Sequence, residues 1–210
     1  MRIWAIVPMK PFQRAKSRLA TLLTPEQREA LAEKFYRHTL ETLRQVKELA
    51  GVLVISRDAG VLAIAREYRA YTVHESGQPE LNAALMRASQ VVGAQGADGV
   101  IILPADLPLL TPEDVRTMLD MGRYHQMIVI APDRQREGTN ALLLIPPNVI
   151  RVSYGVGSFE RHQQLALEVG ATIDIYHSER MSLDVDLPAD LELYYQIEAD
   201  SAAPEAAAGK

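Results

Sequence analysis

Asp106 closes an apolar run, Ile101-Ile-Leu-Pro-Ala-Asp106, and stands alone before Leu-Pro-Leu-Leu-Thr-Pro-Glu-Asp114. A carboxylate just past a buried strand lies where open α/β sheets bind their ligands. Mg²⁺ is commonly held there by one or two carboxylates together with substrate phosphates. An Asp in this place also suits a plain turn. The second acidic pair is Asp184 and Asp186, in Ser182-Leu-Asp-Val-Asp-Leu-Pro-Ala-Asp190. Alternation in an extended chain puts both carboxylates on one side and Leu183, Val185 and Leu187 on the other. Like charges on one face need a cation, hydrogen-bond donors or open water. With Asp106 they make three candidates for clamping one or two Mg²⁺ ions across the phosphates of a nucleotide.

Opposite charge is concentrated near the start. Lys10, Arg14, Lys16 and Arg18 follow the apolar run Ile3–Val7 within twelve residues, Pro8-Met-Lys-Pro-Phe-Gln-Arg-Ala-Lys-Ser-Arg-Leu19. The segment has no glycine, so it is neither a P-loop nor a dinucleotide fingerprint. Any phosphate it binds must be neutralised by side chains, Lys as a point charge and Arg as a planar fork. A solvated basic loop is the alternative. Two further clusters carry neutral donors. Gly138, Thr139 and Asn140 join close backbone approach to hydrogen-bonding side chains. Tyr154-Gly-Val-Gly-Ser-Phe-Glu-Arg-His162 leads two glycines into Ser158, read as the N-cap of a helix whose amide end favours an anion. Arg161 and His162 would add to that anion site if they face it.

These residues require an alternating scaffold. Apolar runs predict strands over 2–7, 51–56, 70–74, 99–104, 127–131, 140–145 and 171–176. Helices are predicted over 25–48, 59–68, 79–94, 112–121, 158–169 and 188–198. Thr24-Pro-Glu-Gln27 and Thr111-Pro-Glu-Asp114 are helix-start signals with proline at the first helical position. The alternation predicts an α/β protein with a mixed, mostly parallel sheet covered on both faces. One domain over 1–198 is expected, and the small polar residues 199–210 predict a disordered tail.

Five segments now stand in order: the basic loop, Leu103-Pro-Ala-Asp-Leu-Pro-Leu-Leu110, Gly138-Thr-Asn-Ala-Leu142, Gly155-Val-Gly-Ser-Phe-Glu-Arg-His162 and Leu183-Asp-Val-Asp-Leu-Pro-Ala-Asp-Leu191. Together, over residues 1–195, they resemble the CofC/FbiD guanylyltransferases of deazaflavin coenzyme F420 biosynthesis. Met9 departs from the valine expected beside Lys10. The resemblance implies a three-layer α/β/α nucleotidyltransferase fold, Rossmann-like and similar to glycosyltransferase A. It implies transfer of GMP from GTP to a phosphorylated three-carbon acid with release of pyrophosphate. Phosphoenolpyruvate is the favoured acceptor; 2-phospho-L-lactate and 3-phosphoglycerate are the others. The product would pass to a deazaflavin transferase.

By the same resemblance Asp106 and Asp184 would hold Mg²⁺, with Asp186 as a further ligand. Lys10, Lys16 and Arg18 would act on the triphosphate. Thr139, Gly155, Ser158, Arg161 and His162 would bind the acceptor. Pro8, Lys10, Asn82 and Asp106 would contact the nucleotide. A cytidylyltransferase serving a molybdenum cofactor or a sugar phosphate is the nearest alternative. A nucleotide-binding scaffold without activity is the alternative of another class.

Composition narrows the field. The chain has 210 residues, a formal net charge of −5 and no cysteine. Disulfides, thiolate metal sites and cysteine nucleophiles are therefore excluded. The acidic balance argues against a nucleic-acid or membrane-surface partner. No apolar run approaches a membrane span, and a cytoplasmic protein is expected. A homodimer is compatible with this reading.

Overall fold

The computed structural model describes residues 1–202. Seven strands form one sheet: β1 (Ile3–Pro8), β2 (Leu49–Ser56), β3 (Tyr71–His74), β4 (Gly99–Ile102), β5 (Met127–Pro132), β6 (Thr139–Ile145) and β7 (Thr172–Ile175). Their order is β3-β2-β1-β4-β6-β5-β7. Only β6 runs antiparallel to its neighbours, β4 and β5; every other pairing is parallel.

The helices are α1 (Pro25–Arg44), α2 (Ala59–Glu67), α3 (Leu81–Ala94), α4 (Pro112–Met121), α5 (Ser158–Glu168), α6 (Glu179–Ser182) and α7 (Pro188–Ala202). Strands of a parallel sheet read as continuous apolar runs because both faces are covered, and successive residues of β1 show this. Ala5 and Val7 join a core built with Tyr36 and Leu40 of α1, Val61 of α2 and Val115 of α4. Trp4 and Ile6 face the other way, toward Leu85 and Ala88 of α3, in a core shared with Phe159 of α5. The result is the three-layer α/β/α arrangement that the alternation predicts. A third core joins Leu31 and Phe35 of α1 to Leu183, Val185 and Tyr194. It seats α7 against α1 and holds the Asp184–Asp186 segment beside the basic loop.

The predicted element bounds shift in places. Helix α1 ends at Arg44 rather than 48: Val46, which extended the apolar period, enters the core from a turn, and β2 already begins at Leu49. Strand β4 stops at Ile102 because Pro104 has no N–H to continue the ladder. Helix α7 continues to Ala202, four residues past the expected boundary, and residues 203–210 of the expected tail lie outside the described residues. The short α6 has no counterpart among the predicted helices. Leu187 is exposed and does not share the buried side of Leu183 and Val185. No helix among the described residues is long and apolar enough to cross a membrane.

The start of β6 carries a register shift. Ala131 pairs with Ala141 and Pro132 with Thr139, so Asn140 is an extra residue on one strand. Such a bulge breaks the alternation and re-aims the side chains beside it. Asn140 bonds to the Met181 carbonyl on one face of the sheet, while Thr139 contacts His162 of α5 on the other.

Candidate active site

A cleft of about 590 Å³ opens at the C-terminal edge of β1, β2 and β4, where parallel strands present their ligand-binding loops. The basic segment forms one wall. It is not an open loop but two single 3₁₀ turns, Phe12–Arg14 and Ser17–Leu19, anchored by buried Phe12, Ala15 and Leu19. Lys16 joins the turns in the left-handed region, at φ 53°, a conformation few non-glycine residues take. Its ammonium is thereby turned inward. Nζ donates to Asp106 Oδ2 at 3.0 Å and to Asp186 Oδ1 at 3.2 Å, with only 5 % of the side chain exposed. Burial alone would pull this lysine down; the charges of Asp106 and Asp186 outweigh it and hold the ammonium above its ordinary range. Arg18 lies 3.8 Å from Asp186 and stays largely in solvent. Pro8 and Lys10 line the cleft at the end of β1.

The acidic side is only partly neutralised. Asp106 Oδ1 is buried and has no hydrogen-bond partner among the described residues. Asp184 accepts one bond, from Asn140 Nδ2 at 3.1 Å. Burial first, and then the Asp106 charge, push its carboxyl up to about 6. An orphaned carboxylate oxygen and a strained neighbouring carboxylate are the hard donors a Mg²⁺ ion accepts. Among the described residues no three His, Asp or Glu side chains form a complete protein cage. A site of this kind suits an ion that takes its remaining ligands from phosphates and water. Asp186 is engaged by Lys16 and Arg18 and belongs to the cation cluster.

The neutral donors form a second, buried cluster whose residues do not line the cleft. Ser153 N–H donates to His162 Nε2 at 2.9 Å. That bond requires a neutral ring with its proton on Nδ1, which lies 3.0 Å from Thr139 Oγ1. Ser158 Oγ also donates to Thr139 Oγ1, at 3.3 Å. With both bonds received, Thr139 keeps its own O–H as a donor. His162 is fully buried, and burial followed by the Arg161 charge holds it down to about 4. It therefore orients Thr139 and stays neutral.

Three expectations change here. Ser158 is the first residue of α5 rather than its cap; Gly157 holds the cap position at φ 72°. The Arg161 guanidinium binds the carbonyls of Val156 and Ser153 and the Ser153 hydroxyl, strapping the glycine loop instead of facing an anion. Asn82 likewise closes a two-way bond with the Tyr154 backbone, accepting at 2.7 Å and donating at 3.3 Å. It ties α3, whose first residues line the cleft, to the Gly155 loop. Gly155 takes φ 123°, a conformation that side chains rarely adopt.

The two clusters meet at β6. Thr139 belongs to the hydroxyl cluster, and Asn140 holds Met181 O, Ser182 O and Asp184. The residues overlooked in the sequence are Arg57 and Glu75, which line the cleft past the ends of β2 and β3. Their signal was available: they end predicted strands on the same sheet edge as Asp106.

The family model described as guanylyl transferase, CofC-like, matches residues 2–199. The chain belongs to this family. A relative named phosphoenolpyruvate guanylyltransferase, from Conexibacter woesei, is 40 % identical over 193 residues, covering 91 % of this chain and 86 % of the relative. One named 2-phospho-L-lactate guanylyltransferase, from Methanothermobacter thermautotrophicus, is 36 % identical over 191 residues, covering 91 % and 83 %. Among solved structures, a putative nucleotide-diphospho-sugar transferase from Desulfovibrio desulfuricans superposes with a TM-score of 0.76 at 17 % identity, covering 96 % of this chain and 90 % of that one. The CofC-like chain thus has a nucleotidyltransferase fold, and its family is one of nucleotidyltransferase enzymes.

Proposed function

We propose that this protein transfers GMP from GTP to the phosphate of a three-carbon phospho-acid, with phosphoenolpyruvate as the favoured acceptor. The single observation that carries the reading is the adjacency, across the Asn140 bulge, of a carboxylate–lysine cluster and a buried hydroxyl cluster held by a neutral histidine. The first suits a triphosphate, the second a small anion.

An acceptor phosphate oxygen attacks the α-phosphorus of GTP. A new P–O bond forms, the bond from the α-phosphorus to the bridging oxygen breaks, and pyrophosphate leaves with that oxygen. The nucleophile is already an anion, so the protein has no proton to remove; its work is positioning and charge neutralisation. Lys16, Lys10 and Arg18 would take the negative charge of the triphosphate and the departing pyrophosphate. The Thr139 O–H, supported by Ser158 and His162, would hold the acceptor beside the Gly155 loop. Asp106 and Asp184 would hold Mg²⁺, which when bound supplies charge neutralisation and alignment of the phosphates. The relatives' names support phosphoenolpyruvate or 2-phospho-L-lactate as acceptor. A cytoplasmic setting and delivery of the product to a deazaflavin transferase complete the proposal.

The test is pyrophosphate release with GTP and Mg²⁺, run in parallel with phosphoenolpyruvate, 2-phospho-L-lactate and 3-phosphoglycerate. Release that requires phosphoenolpyruvate and fails with CTP is expected. Silence with every acceptor, from folded protein, overturns the reading.

A further inference from the structure

The cleft extends well beyond the phosphate-binding wall. Asp106 follows β4, whereas Arg57 follows β2 and Glu75 follows β3. With the order β3-β2-β1-β4, two to three inter-strand spacings separate them, about 10 to 14 Å. A nucleoside spans such a gap between its 5′-phosphate and the far edge of its base.

What waits at the far end is a rigid pair. Glu75 N–H bonds to Ser56 O at 2.8 Å, prolonging the β2–β3 ladder by a residue. Arg57 Nη2 donates to Glu75 Oε1 at 2.9 Å and to Gly77 O at 3.2 Å. The two side chains are only 25 % and 18 % exposed. No hydrogen bond among the described residues engages Glu75 Oε2 or Arg57 Nη1, while Arg57 Nε is buried. A carboxylate and a guanidinium held side by side, each with unused capacity, present acceptors next to donors. Of the common bases, only guanine shows two adjacent N–H donors, N1–H and the 2-amino group, beside a carbonyl acceptor. Adenine, cytosine and uracil each offer a single donor position on that edge.

We infer that Arg57 and Glu75 form the base-specificity subsite of the cleft, Glu75 accepting from guanine N1–H and the 2-amino group and Arg57 donating to O6. The inference rests on the proposal that the cleft binds a nucleoside triphosphate, and it adds which residues select the base. Glu80 lines the same wall but is not available for this role, because its carboxylate caps α3 through Asn82 N and Ala83 N.

The experiment changes the nucleotide before it changes the protein. Calorimetric binding of GTP and of ITP, which lacks only the 2-amino group, is measured on the unaltered chain with Mg²⁺ and no acceptor. A hydrogen bond to a charged group corresponds to roughly tenfold or more in affinity, so ITP should bind at least about tenfold more weakly. Glu75→Gln replaces one acceptor oxygen by a donor. It should bring GTP and ITP close to parity and improve XTP, whose 2-carbonyl accepts, relative to GTP. Equal binding of GTP and ITP by the unaltered chain overturns the inference, whether or not the variant folds. A GTP-to-ITP ratio left unchanged by Glu75→Gln overturns it as well. Failure of pyrophosphate release with all acceptors, alongside a preserved GTP preference, would sink the transfer reaction and leave the subsite standing.

Discussion

Asp184 sits in a position that works against the stability of the fold. Its carboxylate is largely buried near Asp106, and the Asn140 amide is its single side-chain partner. Replacing it by Asn removes a like charge while keeping the shape. Asp184→Asn should raise the melting temperature of the metal-free protein by about 2–4 °C, the effect of roughly 1 kcal/mol in a domain of this size. The same variant should lose at least about a hundredfold in pyrophosphate release, a loss in the range found when a charge-stabilising group is removed. Melting curves and turnover of one preparation check both halves; a variant that is destabilised yet active would refute the assignment. Residue types were informative at this scale, residue roles less so. Asp106, Asp184 and Lys16 could be picked out from their types and from strand ends. That His162 and Arg161 serve Thr139 and the glycine loop could not, because the direction of a helical side chain depends on which face the helix buries.

Among the elements, the short α6 shows how a local feature escapes a one-dimensional reading. Its four residues are too few for a detectable period, yet they are held firmly. Asp114, fully buried at the start of α4, accepts from Tyr176 (3.0 Å), Ser178 (2.9 Å) and twice from Arg180 (2.8 Å each). Burial opposes the charge, but these donors, with Thr111, bring the carboxyl down to about 2. The Thr111–Asp114 helix start was legible as a capping signal; its second task, fastening the strand-to-α6 connection sixty residues away, was not. Removing the charge from a buried, fully bonded carboxylate costs about 3 kcal/mol. Asp114→Asn is expected to lower the urea midpoint accordingly with an unchanged denaturant slope. A midpoint within about 0.5 kcal/mol of the parent would show that α6 is held by packing alone.

At the scale of the whole molecule, the same buried groups set the response to acid. His162 has an ordinary value of 6.5 and a folded value of about 4. Above pH 6.5 both folded and unfolded chains are neutral there, and the residue has no effect. Between pH 6.5 and 4 the unfolded chain binds a proton that the fold refuses, so stability falls as pH falls. The full loss is on the order of 3 kcal/mol. Asp114 adds a second loss, from its ordinary 3.8 down through about 2. Asp184 opposes the first loss: its carboxyl, ordinarily at 3.8 and pushed up to about 6 in the fold, takes its proton before the unfolded chain does as pH falls. The two effects offset between about pH 6 and 4, so stability should stay nearly level there and fall below about pH 4. His162→Gln should unmask a rise in stability across that window while leaving the fall below it. An unchanged slope would mean that the ring is protonated in the fold. The layers and the ligand-binding edge were legible from buried runs and alternation. The sheet order was not, because it depends on which apolar strands meet in space. Nor was the extra residue on β6, which exists only relative to the register of β5. That extra residue makes the protein sensitive to length as well as to composition. Exchanging Thr139 or Asn140 for another amino acid silences one partner, but deleting a single residue there would restore strict alternation and send the neighbouring side chains to the wrong sides of the sheet. The carboxylate and hydroxyl clusters thus share a frame, and a slip of one position would part Thr139 from His162 and Asn140 from Asp184 at once.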